Sequence, residues 1–102
     1  MSFITATNNA IKEIKCIVEQ QKFNIDEVYI LLGVKVTHSG FSYNFHIIDN
    51  VLENSVVQNV DGVKFVLNNK FVYIFDGIKL DYISEPAKFG FVFDNPNVVE
   101  NI

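Results

Sequence analysis

Three kinds of side chain in this 102-residue sequence could do chemistry: the imidazoles of His38 and His46, the thiol of Cys16, and the carboxylates of Asp81 and Glu85 around Tyr82. A neutral imidazole is a borderline ligand that suits iron and zinc. The two histidines lie eight residues apart along what reads as extended chain. At a rise of about 3.3 Å per residue that separates them by roughly 26 Å on a straight strand, so they do not share an ion within one chain. His46 is therefore read as an exposed or edge-facing strand residue. His38 stays open between a plain turn residue and a metal ligand.

Cys16 is the only cysteine. No disulfide within the chain and no all-cysteine metal site from one chain can be built from it. At about 100° per residue it projects away from the apolar stripe of its helix, toward solvent or a partner, and a lone surface cysteine explains it. Asp81, Tyr82 and Glu85 suggest acid or base work, but no nucleophile, second carboxylate cluster or histidine pair converges with them in the sequence. The chain is not expected to be an enzyme.

Composition narrows the partners. The formal charge is -4, with 8 Lys and Arg against 12 Asp and Glu, which disfavours nucleic-acid binding by neutralisation of phosphates. Residues Met1 to Thr5 lack a charged leader with a long apolar stretch, and no apolar run approaches the ~20 residues that span a bilayer. The expectation is a cytoplasmic protein with no membrane and no nucleic-acid partner. At 49% hydrophobic content, residues 1–102 are read as a single domain able to build a core without disulfides.

The elements that must position these groups follow from periodicity. Ile11, Ile14 and Val18 recur at helical spacing, which predicts an amphipathic helix over Asn9 to Gln21, with Asn8 or Asn9 as its N-cap. Val28 to Val36 is a β-branched and aromatic run, and Thr37-His38-Ser39-Gly40 closes it with a turn. Phe41, Tyr43, Phe45 and Ile47 then alternate with Ser42, Asn44 and His46, the pattern of a strand with one buried face. Further strands are expected at Ser55 to Asn59, Val63 to Asn68, Lys79 to Ile83 and Phe89 to Phe93. They are punctuated by Asp61-Gly62, Asn68-Asn69 and Asp76-Gly77, with a short helix at Lys70 to Phe75. The aromatic stripes are read as core packing rather than a cofactor box. One helix followed by many short strands predicts a mainly β, α+β domain and not a parallel βαβ fold.

The order of these signals resembles the HesB-like, IscA-type A-type iron–sulfur carriers, from about Thr5 to Asn97. That family carries a Gly-Gly-Cys-Ser-Gly-Phe-x-Tyr turn after its first helix. This chain has Val36-Thr37-His38-Ser39-Gly40-Phe41-Ser42-Tyr43 there. The family continues with Asp-Gly-Val, Leu-Asp-Gly, Asp-Tyr and an aromatic strand running into Asn-Pro-Asn. The counterparts here are Asp61-Gly62-Val63, Phe75-Asp76-Gly77, Asp81-Tyr82 and Phe89-Gly90-Phe91-Val92-Phe93-Asp94-Asn95-Pro96-Asn97. The resemblance implies a HesB-like β-sandwich of short mixed strands with one N-terminal amphipathic helix.

Three cysteines hold the cluster in that family, one in the Ser-Gly turn and two in a Cys-Gly-Cys segment after Asn-Pro-Asn. His38 takes the first position here. On a gapless count Ile102 takes the second, and isoleucine cannot bind a metal. The resemblance thus implies an iron–sulfur cluster assembly protein that does not hold a cluster alone. It would act as a homodimer, or as a heterodimer with a cysteine-bearing A-type carrier, among iron–sulfur assembly proteins. An iron–sulfur cluster or iron is the cofactor the resemblance implies, with His38 as the metal residue. The alternatives are a metal-free protein–protein adaptor on the same scaffold, or weak iron binding through His38.

Overall fold

The computed structural model describes residues 3–38, 40–86 and 88–95. Its first element is one that periodicity missed. Strand β1, Ile4–Ala6, is only three residues long, too short to show alternation. Helix α1 follows over Asn8–Gln20. Thr7, not Asn8 or Asn9, is the N-cap, and its Oγ1 accepts from the Ala10 backbone N–H at 3.2 Å. The expected cap fails because Asn8 and Asn9 already lie inside the first turn. Thr7, in extended conformation (φ −72°, ψ 161°), is the last residue whose side chain can reach back over the free amides.

The remaining strands are β2 (Tyr29–Thr37), β3 (Gly40–Ile48), β4 (Ser55–Val60), β5 (Val63–Asn68), β6 (Ile78–Glu85) and β7 (Lys88–Asp94). A 3₁₀ turn at Ile25–Glu27 precedes β2. Another at Asn69–Phe71 leads into the four-residue helix α2, Val72–Phe75, where the short helix was expected. The β4–β5 connection is the two-residue turn Asp61-Gly62, with φ +50° and +92°. Positive φ at both central residues is what a type I′ hairpin turn demands. The Asn59 side-chain oxygen accepts from the Gly62 N–H at 2.9 Å and braces it.

The strands form two sheets, ordered β1-β6-β7 and β3-β2-β5-β4. Each is mixed: β1 runs parallel to β6 and β2 parallel to β5, while the other neighbours are antiparallel. The fold is thus the mainly β, two-sheet arrangement expected from the sequence. Between the layers lie Phe3, Ile4, Ile30, Leu32, Val63, Phe65, Leu67, Phe75, Ile78 and Leu80, all buried. The α1 stripe of Ala10, Ile11, Ile14 and Val18 closes this core. Each Ile or Val so buried contributes on the order of 1.5–3 kcal/mol.

The sheets are fastened at both flanks. On one, Gln58 of β4 reaches the outer edge of β1: its Oε1 accepts from the Phe3 and Ile4 N–H groups at 2.7 and 3.0 Å, and its Nε2 donates to the Ile4 carbonyl at 2.8 Å. A three-residue edge strand is thereby held by a side chain that imitates a neighbouring strand. On the other flank, aromatic rings of β3 and β7 meet. Tyr43 stacks on Phe93 at 5.1 Å, and Phe45 meets Phe91 edge-on at 4.8 Å. Tyr43, Phe45, Phe91 and Phe93 are half-buried and pack against the core, as the alternating pattern predicts. The side chains of Phe41 and Phe89 lie outside the described residues.

Candidate functional site

The β2–β3 hairpin carries His38 at its tip. Thr37 pairs with Gly40, so the turn falls at His38, whose side chain is exposed. The register continues through Val34↔Tyr43 and Leu31↔His46 to Tyr29↔Ile48. His46 is thus an exposed residue of an edge strand, well down the hairpin from His38. Ser39, next to His38, lies outside the described residues, as does the segment from Pro96 onward.

Cys16 sits on the exposed face of α1, opposite the buried stripe, and takes a weak hydrogen bond from Gln20 Nε2 at 3.6 Å. Neither it nor His46 joins His38. Among the described residues no three of His, Cys, Asp and Glu gather into a group able to hold a metal ion. Among the described residues, no thiol lies with His38 in such a group to serve a thiolate-held cluster. One exposed imidazole leaves most coordination positions of an iron unfilled.

What the structure does build around the hairpin is a support. Asn95 is nine-tenths buried, and its Nδ2 donates to the Tyr43 hydroxyl at 3.1 Å. Tyr43 also meets Phe75 edge-on at 5.7 Å. The Ser-Gly-Phe-x-Tyr and Asn-Pro-Asn fragments, more than fifty residues apart in sequence, are therefore in direct contact. Phe45 lies against Phe91, and Tyr43 against Phe93. Moving along β7 toward Asn95 thus runs toward the His38 end of β3.

Asp81 has a structural task. Its Oδ1 accepts from the Thr7 hydroxyl at 2.6 Å and from the Tyr82 N–H at 2.8 Å. The Thr7 bond first, then the Tyr82 bond, hold the carboxyl below its ordinary pKa against a smaller opposing effect of burial, and Lys79 adds a favourable charge. A carboxylate kept ionised by two donors is a poor proton acceptor at neutral pH. It ties β6 to the start of α1, where the Thr7 N–H also donates to the Leu80 carbonyl at 3.0 Å. The acid–base reading of Asp81, Tyr82 and Glu85 gains no partner among the described residues.

A family model described as iron–sulphur cluster biosynthesis matches residues 2–102. The chain belongs to this family. A relative in Yersinia pestis (strain Pestoides F), called iron-binding protein IscA, is 35% identical over 68 residues; the match takes in 66% of this chain and 64% of that protein. The chain therefore matches a little under two thirds of that relative's length. The crystal structure of Escherichia coli SufA, involved in biosynthesis of iron–sulfur clusters, superposes with a TM-score of 0.75 at 25% identity, covering 93% of this chain and 87% of SufA. A crystal structure of IscA with the [2Fe-2S] cluster gives a TM-score of 0.74 at 17% identity, over 92% of this chain and 83% of that one. That likeness speaks for the fold alone. The A-type carrier fold inferred from the order of short motifs is the one observed.

Tyr43–Asn95, Thr7–Asp81 and the Gln58 clamp were not found from the sequence. The motif fragments contained three of these five residues, Tyr43, Asp81 and Asn95, yet a hydrogen bond between segments more than fifty residues apart leaves no local pattern. Gln58 carries no signal at all, since a polar residue in an alternating strand ordinarily means a solvated face.

Proposed function

We propose that this chain works in iron–sulfur cluster biosynthesis as an A-type carrier scaffold that does not hold a cluster by itself. It acts as a non-enzymatic single-domain protein of the cytoplasm, paired with itself or with a cysteine-bearing A-type carrier that supplies the thiolates. His38, at the position of the family's first cysteine, contributes weak iron binding. The observation that carries this reading is the pairing of an intact carrier fold with a single exposed imidazole at the hairpin tip and no converging ligand set among the described residues. A transferable cluster needs thiolates that bind iron strongly yet exchange with an attacking thiol, and a lone imidazole does neither.

Anaerobic reconstitution with iron and sulfide, read by visible absorption and metal analysis, tests the proposal. The chain alone is expected to hold far less than stoichiometric cluster, and a mixture with a cysteine-bearing A-type carrier to hold cluster in a complex that contains both. Stoichiometric cluster on the chain alone would overturn the partner dependence. A pull-down that recovers no cluster-assembly protein would favour a metal-free adaptor instead.

A further inference from the structure

At the opposite end of the hairpin from His38 the surface opens into a groove of about 400 Å³, lined by Phe23, Val28, Ile47, Ile48, Asp49 and Leu52, with Asn50 at its wall. Its rim is apolar: Leu52 is 62% exposed and Phe23 47%, and Val51, next to Leu52 in sequence, is 39% exposed. Exposed apolar side chains gathered around a groove offer a seat for an apolar side chain of a partner.

The charges on the same segments indicate what fits. The loop after β3 carries Asp49, in the groove wall, and Glu53, exposed beside Leu52. The 3₁₀ turn running into Val28 carries Asp26 and Glu27, both exposed. Against these four carboxylates stand two lysines. Lys22 precedes Phe23, while Lys64 is engaged, its Nζ donating to the Asp26 carbonyl at 2.8 Å and lying 4.3 Å from the centre of the Tyr29 ring. An apolar cleft on acidic segments is complementary to an apolar segment flanked by Lys or Arg.

We propose that this groove docks a short cationic, amphipathic peptide segment of a partner protein, with an apolar side chain seated between Phe23 and Leu52 and a basic one beside Asp49. Register places the groove at the Tyr29↔Ile48 and Ile30↔Ile47 end and His38 beyond Thr37↔Gly40. At about 3.3 Å per residue, roughly 26 Å of hairpin separates the two. A docked partner thus leaves the hairpin tip free. The inference goes beyond the cluster reading and does not rest on it.

The test uses the metal-free chain and a fluorescent amphipathic peptide with a Leu face and a Lys face, beside its twin with Glu in place of every Lys, read by anisotropy. The Lys peptide is expected to bind saturably and to weaken as salt rises. Leu52→Glu should reduce its affinity about tenfold or more, as loss of an apolar anchor does, and Asp49→Asn about two- to fivefold. Because Leu52 is largely exposed, the first variant keeps its fold; Asp49→Asn provides a second, isosteric check. Equal binding of the Glu twin would overturn the proposal. So would undiminished binding by Leu52→Glu, the mark of diffuse attraction to an acidic protein. A wild-type dimer in sedimentation that Leu52→Glu dissolves would give the groove to a second copy and equally overturn it.

Discussion

Asn95 donates a hydrogen bond from its side-chain amide to the hydroxyl of Tyr43 at 3.1 Å, joining the end of β7 to the strand that rises to the hairpin tip. Asn95 is nearly buried and Tyr43 is wedged between Phe93 and Phe75, so the bond is formed where little water competes for it. Tyr43→Phe keeps the ring packing and removes only the hydroxyl. The expected loss is about 1 kcal/mol of unfolding free energy, measured by urea denaturation. An unchanged midpoint would show that the contact does not contribute to stability.

Thr7 links two functions in one hydroxyl, capping α1 by accepting from Ala10 and donating to Asp81. Thr7→Val is expected to cost about 1 kcal/mol for the cap alone, while Thr7→Ser should stay close to wild type because it keeps both bonds. Thermal unfolding of the three proteins at neutral pH distinguishes them.

The same pair sets an acid limit. The folded-state pKa of Asp81 is lowered, so its contribution is present above the unfolded value of about 3.9 and is lost as pH falls through the lower folded value. Unfolding midpoints taken from neutral pH down to strongly acidic conditions should show less acid sensitivity in Asp81→Asn than in wild type. Parallel curves would remove Asp81 from the acid response.

Gln58→Leu removes three hydrogen bonds to the backbone of Phe3 and Ile4 while keeping most of the side-chain volume. Orphaned backbone groups cost about 1–3 kcal/mol in such a setting. The more specific readout is hydrogen exchange, where the amides of Phe3 and Ile4 should lose protection ahead of β6. Uniform change across both sheets would argue against a local clamp.

His38→Cys restores a thiol at the hairpin tip. It is expected to raise iron and cluster retention in anaerobic reconstitution above wild type, and His38→Ala to lower it. If His38→Ala retains all bound iron, His38 is not a ligand.

Much of this molecule was legible in its sequence because the signals are local. The stripe Ile11, Ile14 and Val18 placed α1, alternation from Phe41 to Ile47 placed β3, and Asp61-Gly62 marked the turn between β4 and β5. Motif order from Ser39-Gly40 to Asn95-Pro96-Asn97 identified the family and its fold, and Cys16, the one cysteine of residues 1–102, excluded a disulfide within them. What only the tertiary structure decided are the long-range pairings: β1 beside β6, Gln58 across two sheet edges, Thr7 with Asp81, and Tyr43 with Asn95. It also decided which apolar residues, Phe23 and Leu52, stay outside the core. A helix or a turn is chosen by the preferences of adjacent residues, whereas a hydrogen bond between distant segments, or a cleft between two loops, exists only once the buried core has brought those segments together.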